Sequence, residues 1–401
     1  MINFDVVDDI PTTNKTVLLL SDLNVPLNEE NKIIDDKKIQ QAMPTINYLV
    51  RTGARVVIAT HLGNPISEVD LRFSTKPIAQ YLDKRLRCDV KFCPTCVGEK
   101  AKKEIFSSEY GDVIVLENLL FDQREKTCDI SFAKQISDGM NIYVNDAFEY
   151  SNYAYASVLC IPLFVRATAG LVLKNHIQNL DFFLSNSNTF STAIIGGKMA
   201  NKMDLLNSLI ERVNCIIVGG IIANNFLKAL GYEIGHSQFE PMCVEMVDKI
   251  LKKAKDYNCS FIFPTDVLVS TNTSQDFDAK KIDKIDQHEM IVDLGKESIK
   301  NIQNIISLSR KVFFYGNTGI SEIRTFSNST SIILKTIAQS TKNKHIFSII
   351  NGNDTILAAK NNGYLNDFSF ISEYSNPVMK YFSDKPLPGI EILKRLSCCK
   401  E

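Results

Sequence analysis

The chain has 401 residues, a formal net charge of −1 and a hydrophobic fraction of 45%. Its length predicts two domains, and its apolar fraction is sufficient for two sizeable cores. The near-zero charge, without long blocks of one sign, argues against nucleic-acid and membrane-surface binding. No apolar run reaches transmembrane length, and the N-terminus lacks the basic-then-apolar order of a signal peptide, so we expect a cytoplasmic protein.

The ten cysteines are scattered along the chain. Cys93 and Cys96 form a CxxC motif, but no second pair follows at the spacing of a zinc ribbon. We therefore expect reduced, structural thiols.

Apolar runs alternate with helical patterns along the first half of the chain. Such alternation predicts a parallel sheet covered by helices on both faces. Polar residues follow the first two predicted strands, among them Asp22, Asn24, His61 and Asn64, and ligands of open α/β sheets bind at this end of a strand. The predicted strands are 16–20, 55–60, 88–92, 113–116 and 141–144, and the predicted helices are 39–49, 71–86, 97–106, 132–136 and 171–184.

The second half of the chain repeats this alternation after a polar break at 185–189, where we place the domain boundary. The segment 270–293 is polar and irregular, which predicts a strand or loop excursion. The fold class is therefore α/β, with two doubly wound, Rossmann-like domains joined by a long helix. The predicted strands are 193–195, 215–218, 261–263, 311–315 and 345–350.

A glycine turn lies between a predicted strand and an amphipathic helix in the second half. Gly196 and Gly197 allow the backbone to approach a ligand closely. Lys198 and Lys202 follow at i, i+4 spacing, so both ammonium groups could lie on one face of the helix start and bind phosphate. The spacing is neither a Walker A motif nor a dinucleotide fingerprint, and on the glycines alone an ordinary strand–turn–helix with solvated lysines is the favoured explanation.

Short motifs along nearly the whole chain, taken in order, resemble the phosphoglycerate kinase family. They include Ser-Asp-Leu-Asn-Val-Pro at 21–26, Thr-His-Leu-Gly-Asn-Pro at 60–65, Leu-Glu-Asn at 116–118, Val-Asn-Asp-Ala-Phe at 144–148, Gly-Gly-Lys at 196–198, Asn-Phe-Leu-Lys-Ala-Leu-Gly-Tyr-Glu-Ile-Gly at 225–235, Pro-Thr-Asp-Val at 264–267, Asn-Asp-Thr at 353–355 and Leu-Pro-Gly-Ile at 387–390.

The resemblance implies a glycolytic kinase that transfers a phosphoryl group reversibly between ATP and the carboxylate of 3-phosphoglycerate. It implies Mg²⁺, ATP/ADP and 3-phosphoglycerate as ligands, hinge closure and a monomer. Residues 1–170 would bind the acid substrate, with the tail 385–401 packing back on them. Residues 171–187 would form the interdomain helix, and residues 188–384 would bind the nucleotide.

On the nucleotide side, the resemblance implies that Lys198 and Lys202 neutralise the transferring phosphoryl group and that Asp354 binds the metal. Asp354 and Thr355 also fit an ordinary helix cap, and Glu322 also fits a solvated surface position. Glu322 would bind the ribose, Gly295 would line the adenine slot, and Gly352 and Thr355 would face the phosphates. The full implied set is Gly196, Gly197, Lys202, Gly220, Gly295, Glu322, Gly352, Asn353, Asp354 and Thr355.

On the acid side, the resemblance implies a site of Asp22, Asn24, Lys38, His61 and Asn64, in which Lys38 takes the role of the family's catalytic arginine. The family binds phosphate and carboxylate groups with arginines, because a guanidinium binds such groups through two parallel hydrogen bonds. Ser21, Lys38, Asn64, Leu120 and Tyr153 stand in register with those arginines here.

Further departures add side chains where the family has glycine or another loop. Ile221 and Asn353 replace glycines, Tyr315-Gly316-Asn317 replaces an asparagine–glycine–proline loop, and residues 373–377 replace a triple-glycine turn.

Three hypotheses follow from these departures. The chain is a divergent working kinase, a non-enzymatic nucleotide- or protein-binding scaffold, or a kinase for a less anionic acid. Nearby cations, among them Arg72, Arg124 and Arg166, could fill in for the missing arginines or be plain surface charges. An apolar or aromatic lining around Leu120 and Tyr153 would favour the third hypothesis.

Overall fold

The structure is a computed structural model that describes residues 3–65, 70–185, 189–271, 276–320, 323–343 and 345–398. It divides into two compact units. The first comprises Met1–Gln178 and Pro386–Glu401, and the second comprises Asn179–Lys385. Among the described residues, no helix combines the length and apolar character needed to cross a membrane.

The first unit is built on one parallel sheet. Its strands are β1 (Thr16–Leu20), β2 (Arg55–Ala59), β3 (Val90–Cys93), β4 (Val113–Leu116), β5 (Ile142–Asn145) and β6 (Arg166–Ala169). They lie in the order β3-β4-β2-β1-β5-β6, and every neighbouring pair is parallel. The chain adds β2, β3 and β4 on one side of β1 and then crosses to the other side. Ligands of such sheets bind at this point of reversal.

Helices cover the sheet of the first unit. They are α1 (Lys37–Arg51), α2 (Lys76–Asp83), α3 (Glu99–Phe106), α4 (Gln123–Lys126), α5 (Ile130–Ile136) and α6 (Leu171–Leu184), the last of which continues into the second unit. The apolar residues of α1 recur at helical spacing, and Ile39, Ile46 and Leu49 are fully buried against Val17 and Leu19 of β1. This periodicity explains why α1 was predictable from the sequence.

The predicted helix over 71–86 is wrong at its beginning. Leu71–Phe73 forms a separate 3₁₀ turn, and α2 begins only at Lys76. Ser74 Oγ and the backbone N–H of Thr75 both donate to the carboxylate of Glu117, at 2.8 Å each. These bonds hold the chain outside the helical path just before α2.

The prediction of a helix over 171–184 is confirmed by α6. The resemblance implied that this helix extends to residue 187. Ser185 is not helical, and residues 186–188 lie outside the described residues. The sequence missed β6, a four-residue strand with arginine and threonine among its residues.

A six-stranded parallel sheet also forms the centre of the second unit. Its order is β15-β14-β13-β7-β8-β9, and a separate antiparallel sheet has the order β11-β10-β12. The reversal of strand order falls between β7 and β13. The strands are β7 (Ser191–Ile195), β8 (Cys215–Val218), β9 (Ser260–Ile262), β10 (Asp266–Ser270), β11 (Asp278–Lys281), β12 (Met290–Leu294), β13 (Lys311–Tyr315), β14 (Phe347–Asn351) and β15 (Phe370–Ser372).

The polar segment 270–293 contains β11 and most of β12, which pair with β10. Three of the four residues of β11 are exposed, so this strand lacks the apolar run that identifies a buried strand. This explains why the sequence predicted only an excursion here.

Helices of the second unit pack on both sheets around an isoleucine-rich core. Ile194 and Phe314, from neighbouring strands, pack in one cluster with Ile333, and all three are fully buried. The helices are α7 (Met203–Leu209), α8 (Gly220–Ala229), α9 (Pro241–Val244), α10 (Val247–Asp256), α11 (Lys296–Leu308), α12 (Asn328–Lys342), α13 (Asn353–Asn361) and α14 (Ser375–Phe382).

The last helix, α15 (Pro388–Cys398), belongs to the first unit. Gly389 lies against the backbone of Ser151, and a Cβ atom added at Gly389 would be 2.8 Å from the Ser151 Cα atom. A glycine therefore allows this helix to approach the segment after β5 closely.

Asp146, directly after β5, caps the N-terminus of α6. Its Oδ1 atom accepts the backbone N–H groups of Val172 at 2.8 Å and Leu173 at 3.1 Å. Burial raises the pKa of Asp146 to about 7, although the hydrogen bonds from Thr45, Leu173 and Val172 oppose the shift. The carboxyl group therefore keeps its proton in the folded chain under conditions in which an unfolded chain has lost it.

This cap predicts a pH-dependent stability. Between the unfolded pKa near 3.8 and the folded pKa of about 7, the native state holds the extra proton. The free energy of unfolding should therefore fall as pH rises through this window, by about 4 kcal/mol in total. Asp146→Asn, which cannot ionise, should remove most of that slope in urea unfolding between pH 4 and 8. The matched control is Asp83→Asn at an exposed position of α2. Equal slopes for Asp146→Asn and wild type would contradict this assignment.

Candidate functional site

Three neighbouring strands of the second unit end in loops with glycine at their carboxyl edge. Gly196 follows β7, Gly316 follows β13 and Gly352 follows β14. Gly316 has φ +89°, and a Cβ atom there would lie 2.6 Å from the Lys202 Nζ atom. Glycine at 316 therefore lets the backbone approach the Lys202 side chain closely at the point where the strand order reverses.

Lys202 is buried in this edge, with 7% of its surface exposed. Its Nζ atom donates to the Gly196 carbonyl at 2.5 Å and lies 3.8 Å from the centre of the Tyr315 ring. Burial lowers the pKa of Lys202 to about 8, and the nearby charge of Asp354 opposes this shift. An ammonium group with so little water around it should gain from an anion placed beside it.

Lys198 and Lys202 do not share a helix face, so this expectation from their spacing is wrong. Lys198 is exposed and lies before a 3₁₀ turn at Ala200–Lys202, and α7 begins only at Met203. The carboxylate of Glu240 accepts the backbone N–H of Met199 at 2.6 Å and that of Ala200 at 3.3 Å. These bonds hold the segment after Lys198 in a loop rather than in the first turn of a helix.

The N-terminus of α13 follows β14 beside Lys202. Thr355 is buried, and its hydroxyl accepts the backbone N–H of Gly316 at 2.8 Å, so it connects two of the glycine loops. Asn353 and Asp354 are exposed in the first turn. The N-cap residue is Gly352, which has no side chain that could accept a hydrogen bond from this end of the helix. The first backbone N–H groups of a helix have no acceptor within the helix.

The described residues include no cluster of three or more His, Cys, Asp or Glu that could hold a metal ion. A single exposed carboxylate, Asp354, suits Mg²⁺, which usually binds one or two carboxylates together with substrate phosphates.

Gly220 and Gly295, two further implied nucleotide residues, make backbone contacts within the second unit. The Gly220 N–H donates to the Thr318 carbonyl at 3.0 Å, and the Gly295 N–H donates to the Asp266 carbonyl at 3.0 Å. Gly295 also lies directly against the Asp266 side chain, whose carboxylate accepts two N–H groups of α11. Both glycines thus have structural roles that the sequence did not reveal, while Glu322 lies outside the described residues.

Asp22 and Lys38 form an ion pair at the carboxyl edge of the first unit. The Lys38 Nζ atom lies 2.8 Å from Asp22 Oδ2, and the Asp22 side chain is 4% exposed. Asn24 accepts the backbone N–H of Gly63 at 2.9 Å and so connects the loops after β1 and β2. Lys38 is therefore partly neutralised by a carboxylate rather than presented as a free cation.

His61 is fully buried and bonds to Glu125 rather than facing solvent. Its Nε2 atom lies 2.8 Å from Glu125 Oε1, within hydrogen-bonding distance. Glu125 also accepts the hydroxyl of Ser157 at 2.5 Å and its backbone N–H at 3.0 Å. The His61 Nδ1 atom is buried and has no hydrogen-bond partner among the described residues. Sequence reasoning missed Glu125, because nothing near it in the chain marks it as a partner of His61.

An aromatic cluster extends from His61. The centre of its ring is 4.0 Å from that of Tyr150 and 5.4 Å from that of Tyr155, and Tyr155 stacks on Tyr153 at 5.2 Å. Burial raises the pKa of the adjacent Glu149, the charge of Asp22 raises it further, and the charge of Lys38 lowers it. The edge around Tyr153 is therefore aromatic and contains two carboxylates for one lysine.

The three arginines considered as substitutes for the family's arginines all pair with acidic residues. Arg72 pairs with Asp70 at 2.7 Å, Arg124 with Asp122 at 2.7 Å and Arg166 with Asp5 at 3.3 Å. One cation that the sequence did not suggest, Lys126, donates to the side chain of Asn64 at 3.2 Å. Its distance of 62 positions from Asn64 along the chain explains why it was missed.

The comparisons with known proteins agree with this architecture. A family model described as Phosphoglycerate kinase matches residues 7–385. The phosphoglycerate kinase of Orientia tsutsugamushi (strain Boryong) is 36% identical over 397 residues, covering 98% of each chain. That of Pelotomaculum thermopropionicum is 34% identical over 390 residues, covering 96% of this chain and 98% of the relative. The phosphoglycerate kinase structure from Coxiella burnetii has a TM-score of 0.91 at 31% identity, covering 98% of this chain and 99% of the other.

Both units are doubly wound, and each has polar residues at the carboxyl edge of its parallel sheet. These features define the class of two-domain α/β proteins with ligand sites at the sheet edges. The matches run along nearly the whole chain and confirm the resemblance found in its motifs. The chain belongs to the phosphoglycerate kinase family.

The buried Lys202 ammonium predicts a specific effect of pH. Its folded pKa of about 8 lies below the ordinary value of 10.5, so between these values the unfolded chain binds more protons than the native state. Wild-type stability should therefore rise with pH across this window relative to Lys202→Met. Thermal unfolding from pH 7 to 10 measures the difference. Lys198→Met, at the exposed lysine, is the matched control and should follow wild type. The assignment fails if both variants follow wild type at every pH.

Proposed function

We propose that the chain is a phosphotransferase that moves a phosphoryl group reversibly between ATP and the carboxylate of 3-phosphoglycerate. Membership of the phosphoglycerate kinase family supports this activity. The observation that carries the proposal within the chain is the buried Lys202 ammonium, which lies among glycine loops at the reversal point of the sheet. Phosphoryl transfer requires mainly positioning and charge neutralisation, and a poorly hydrated cation supplies the charge neutralisation.

The nucleotide would bind to the second unit, which corresponds to the proposed domain 188–384. Lys202 would neutralise the transferring phosphoryl group, and Lys198, which is exposed on the adjacent loop, would reach the same group. The N–H groups at the start of α13 would donate to phosphate oxygens. Asp354 would hold the magnesium ion that accompanies the nucleotide, directly or through water, and this ion would neutralise phosphate charge.

The acid would bind to the first unit, which corresponds to the proposed domain 1–170 with the tail 385–401. Lys38 would face the reacting carboxylate as a point charge, held by Asp22. Asn24, Asn64 and the adjacent Lys126 would contribute polar contacts. His61 would act by supporting the aromatic edge, because its bond to Glu125 and its burial keep it from solvent. A cytoplasmic monomer in glycolysis that closes by a hinge is part of this proposal.

The matches cover nearly the full length of relatives that are named phosphoglycerate kinase. They therefore favour the kinase hypothesis over the scaffold hypothesis. The aromatic cluster of His61, Tyr150, Tyr153 and Tyr155 supports a second candidate function, a kinase for a less anionic acid. An aromatic edge offers apolar contact where guanidinium groups would have offered two charged hydrogen bonds each.

A coupled turnover assay with purified protein tests the leading proposal. At saturating ATP, magnesium and 3-phosphoglycerate, we expect turnover in wild type and a loss of at least about 100-fold in Lys202→Ala, because one electrostatic contact contributes that much to phosphoryl and acyl transfers. Lys249→Ala, at an exposed position of α10, serves as the matched surface control. If wild type shows no turnover above Lys202→Ala, the proposal is rejected.

Restoring cations tests which acid the site prefers. Leu120→Arg and Tyr153→Arg should each lower the KM for 3-phosphoglycerate by about 10- to 150-fold, because a hydrogen bond to a charged group contributes about 1.5–3 kcal/mol. The KM for ATP should not change, which separates substrate binding from general disturbance. Lys at the same positions is the matched variant and should have a smaller effect, since it binds at one point.

An unchanged KM for 3-phosphoglycerate in both arginine variants would contradict the assignment of this edge to the acid. A wild type that phosphorylates a singly charged aromatic acid faster than 3-phosphoglycerate would establish the second candidate function instead.

A further inference from the structure

Two cysteines of the first unit lie side by side although they are 32 positions apart in the chain. The Sγ atoms of Cys128 and Cys160 are 3.0 Å apart, and Cys160 Sγ also lies 3.4 Å from the Cys128 carbonyl oxygen. Both are free thiols in the structure. A disulfide bond requires an S–S distance of about 2.05 Å, so a shift of about 1 Å would join them.

The two thiols differ in accessibility. Cys128 is partly exposed at the end of the loop after α4, whereas Cys160 is 5% exposed at the end of the π-helical turn Ala156–Cys160. Burial, together with its bond to Cys128, raises the pKa of Cys160 to about 12. A solution oxidant would therefore reach Cys128 first, and Cys160 is positioned to react second.

The same two segments are already connected by a second pair of contacts. Glu125 lies three positions before Cys128, Ser157 lies three positions before Cys160, and Glu125 accepts two hydrogen bonds from Ser157. A bond between the cysteines would therefore add a covalent link beside an existing contact and would not require the segments to rearrange. Glu125 in turn holds His61, so the link would fix the support of the aromatic cluster.

We propose that Cys128 and Cys160 are a modification site that forms an intramolecular disulfide when a low-molecular-weight disulfide oxidant is present. The Cys128 thiolate attacks one sulfur of the oxidant, forms a mixed disulfide and releases one small thiolate. The Cys160 sulfur then attacks the Cys128 sulfur, its proton passes to the departing second small thiolate, and the protein disulfide forms. Two protein thiols are oxidised and one small disulfide is reduced to two small thiols.

The CxxC motif provides the contrast within the same unit. The thiol of Cys93 lies 3.1 Å from the Thr95 carbonyl oxygen, and the thiol of Cys96 lies 3.0 Å from the Glu117 carbonyl oxygen. Each thiol of the motif therefore has a backbone oxygen as its neighbour. The CxxC spacing makes Cys93 and Cys96 conspicuous in the sequence, whereas the contact between sulfur atoms joins Cys128 and Cys160.

Peptide mapping after oxidation tests the proposal. The purified full-length protein is incubated with oxidised glutathione, remaining thiols are alkylated, and non-reduced peptides are identified by mass spectrometry. We expect a linked pair of peptides containing Cys128 and Cys160, which dithiothreitol separates. In Cys160→Ser, Cys128 should instead retain one glutathione adduct, and in Cys128→Ser neither product should form at this site. Cys93→Ser is the matched control and should still give the linked pair.

A thermal shift supplies a second readout that does not depend on a variant folding well. Oxidised wild type should unfold about 5–10 °C above reduced wild type, because a disulfide that closes a loop of this length restricts the unfolded chain. Recovery of Cys128 and Cys160 as alkylated thiols under conditions that link Cys93 to Cys96 would overturn the proposal.

Discussion

The close approach of backbone to the Lys202 ammonium is the constraint on which the candidate nucleotide site depends. Parallel pairing of β7 with β13 brings the loops after both strands together. Glycine at 196 lets the two loops touch, and glycine at 316 leaves room for the buried Lys202 side chain. The protein loses hydration of a cation there, and the direct contacts that replace it among the described residues are the Gly196 carbonyl and the face of the Tyr315 ring. Such an arrangement is costly for stability, so it is best explained by an anionic ligand that restores what the ammonium has lost.

Both units are built on a six-stranded parallel sheet, but the strand orders differ, and so do the charges at the carboxyl edges. In the second unit, Lys202 lies between a backbone carbonyl and the Tyr315 ring, and one carboxylate, Asp354, acts from nearby. In the first unit, the carboxyl edge holds Lys38 in an ion pair and surrounds it with carboxylates and aromatic rings. A strongly anionic acid would find Lys38 already paired on this edge, with Lys126 beside Asn64 as a further cation. The departures from the family's motifs fall in both units: side chains such as Asn353 replace glycines in the second, and Leu120 and Tyr153 stand in register with arginines in the first.

Much of the architecture could be predicted from the sequence, because buried parallel strands are continuous apolar runs and amphipathic helices repeat at 3.6 residues. Thr16–Leu20, Val113–Leu116, Cys215–Val218 and Lys311–Tyr315 were predicted with their correct bounds. The short strands β6, β10 and β15 were missed, and the polar segment that contains β11 was predicted only as a strand or loop excursion. Site environments were harder to predict, since they depend on contacts between distant positions. The loop geometry of Lys198, the burial of His61 against Glu125 and the contact between Cys128 and Cys160 all arise from residues that are far apart in the sequence.

The central claim is that Lys202 is kept in a poorly hydrated site in order to meet the phosphates of a nucleotide. Nuclear magnetic resonance of the lysine side-chain groups, assigned with Lys202→Met and titrated with and without magnesium ADP, measures its pKa directly. The account predicts a pKa near 8 in the free protein and a rise by at least one unit when the nucleotide binds, because a phosphate favours the charged form. A pKa that is ordinary for lysine and does not respond to nucleotide would contradict the account.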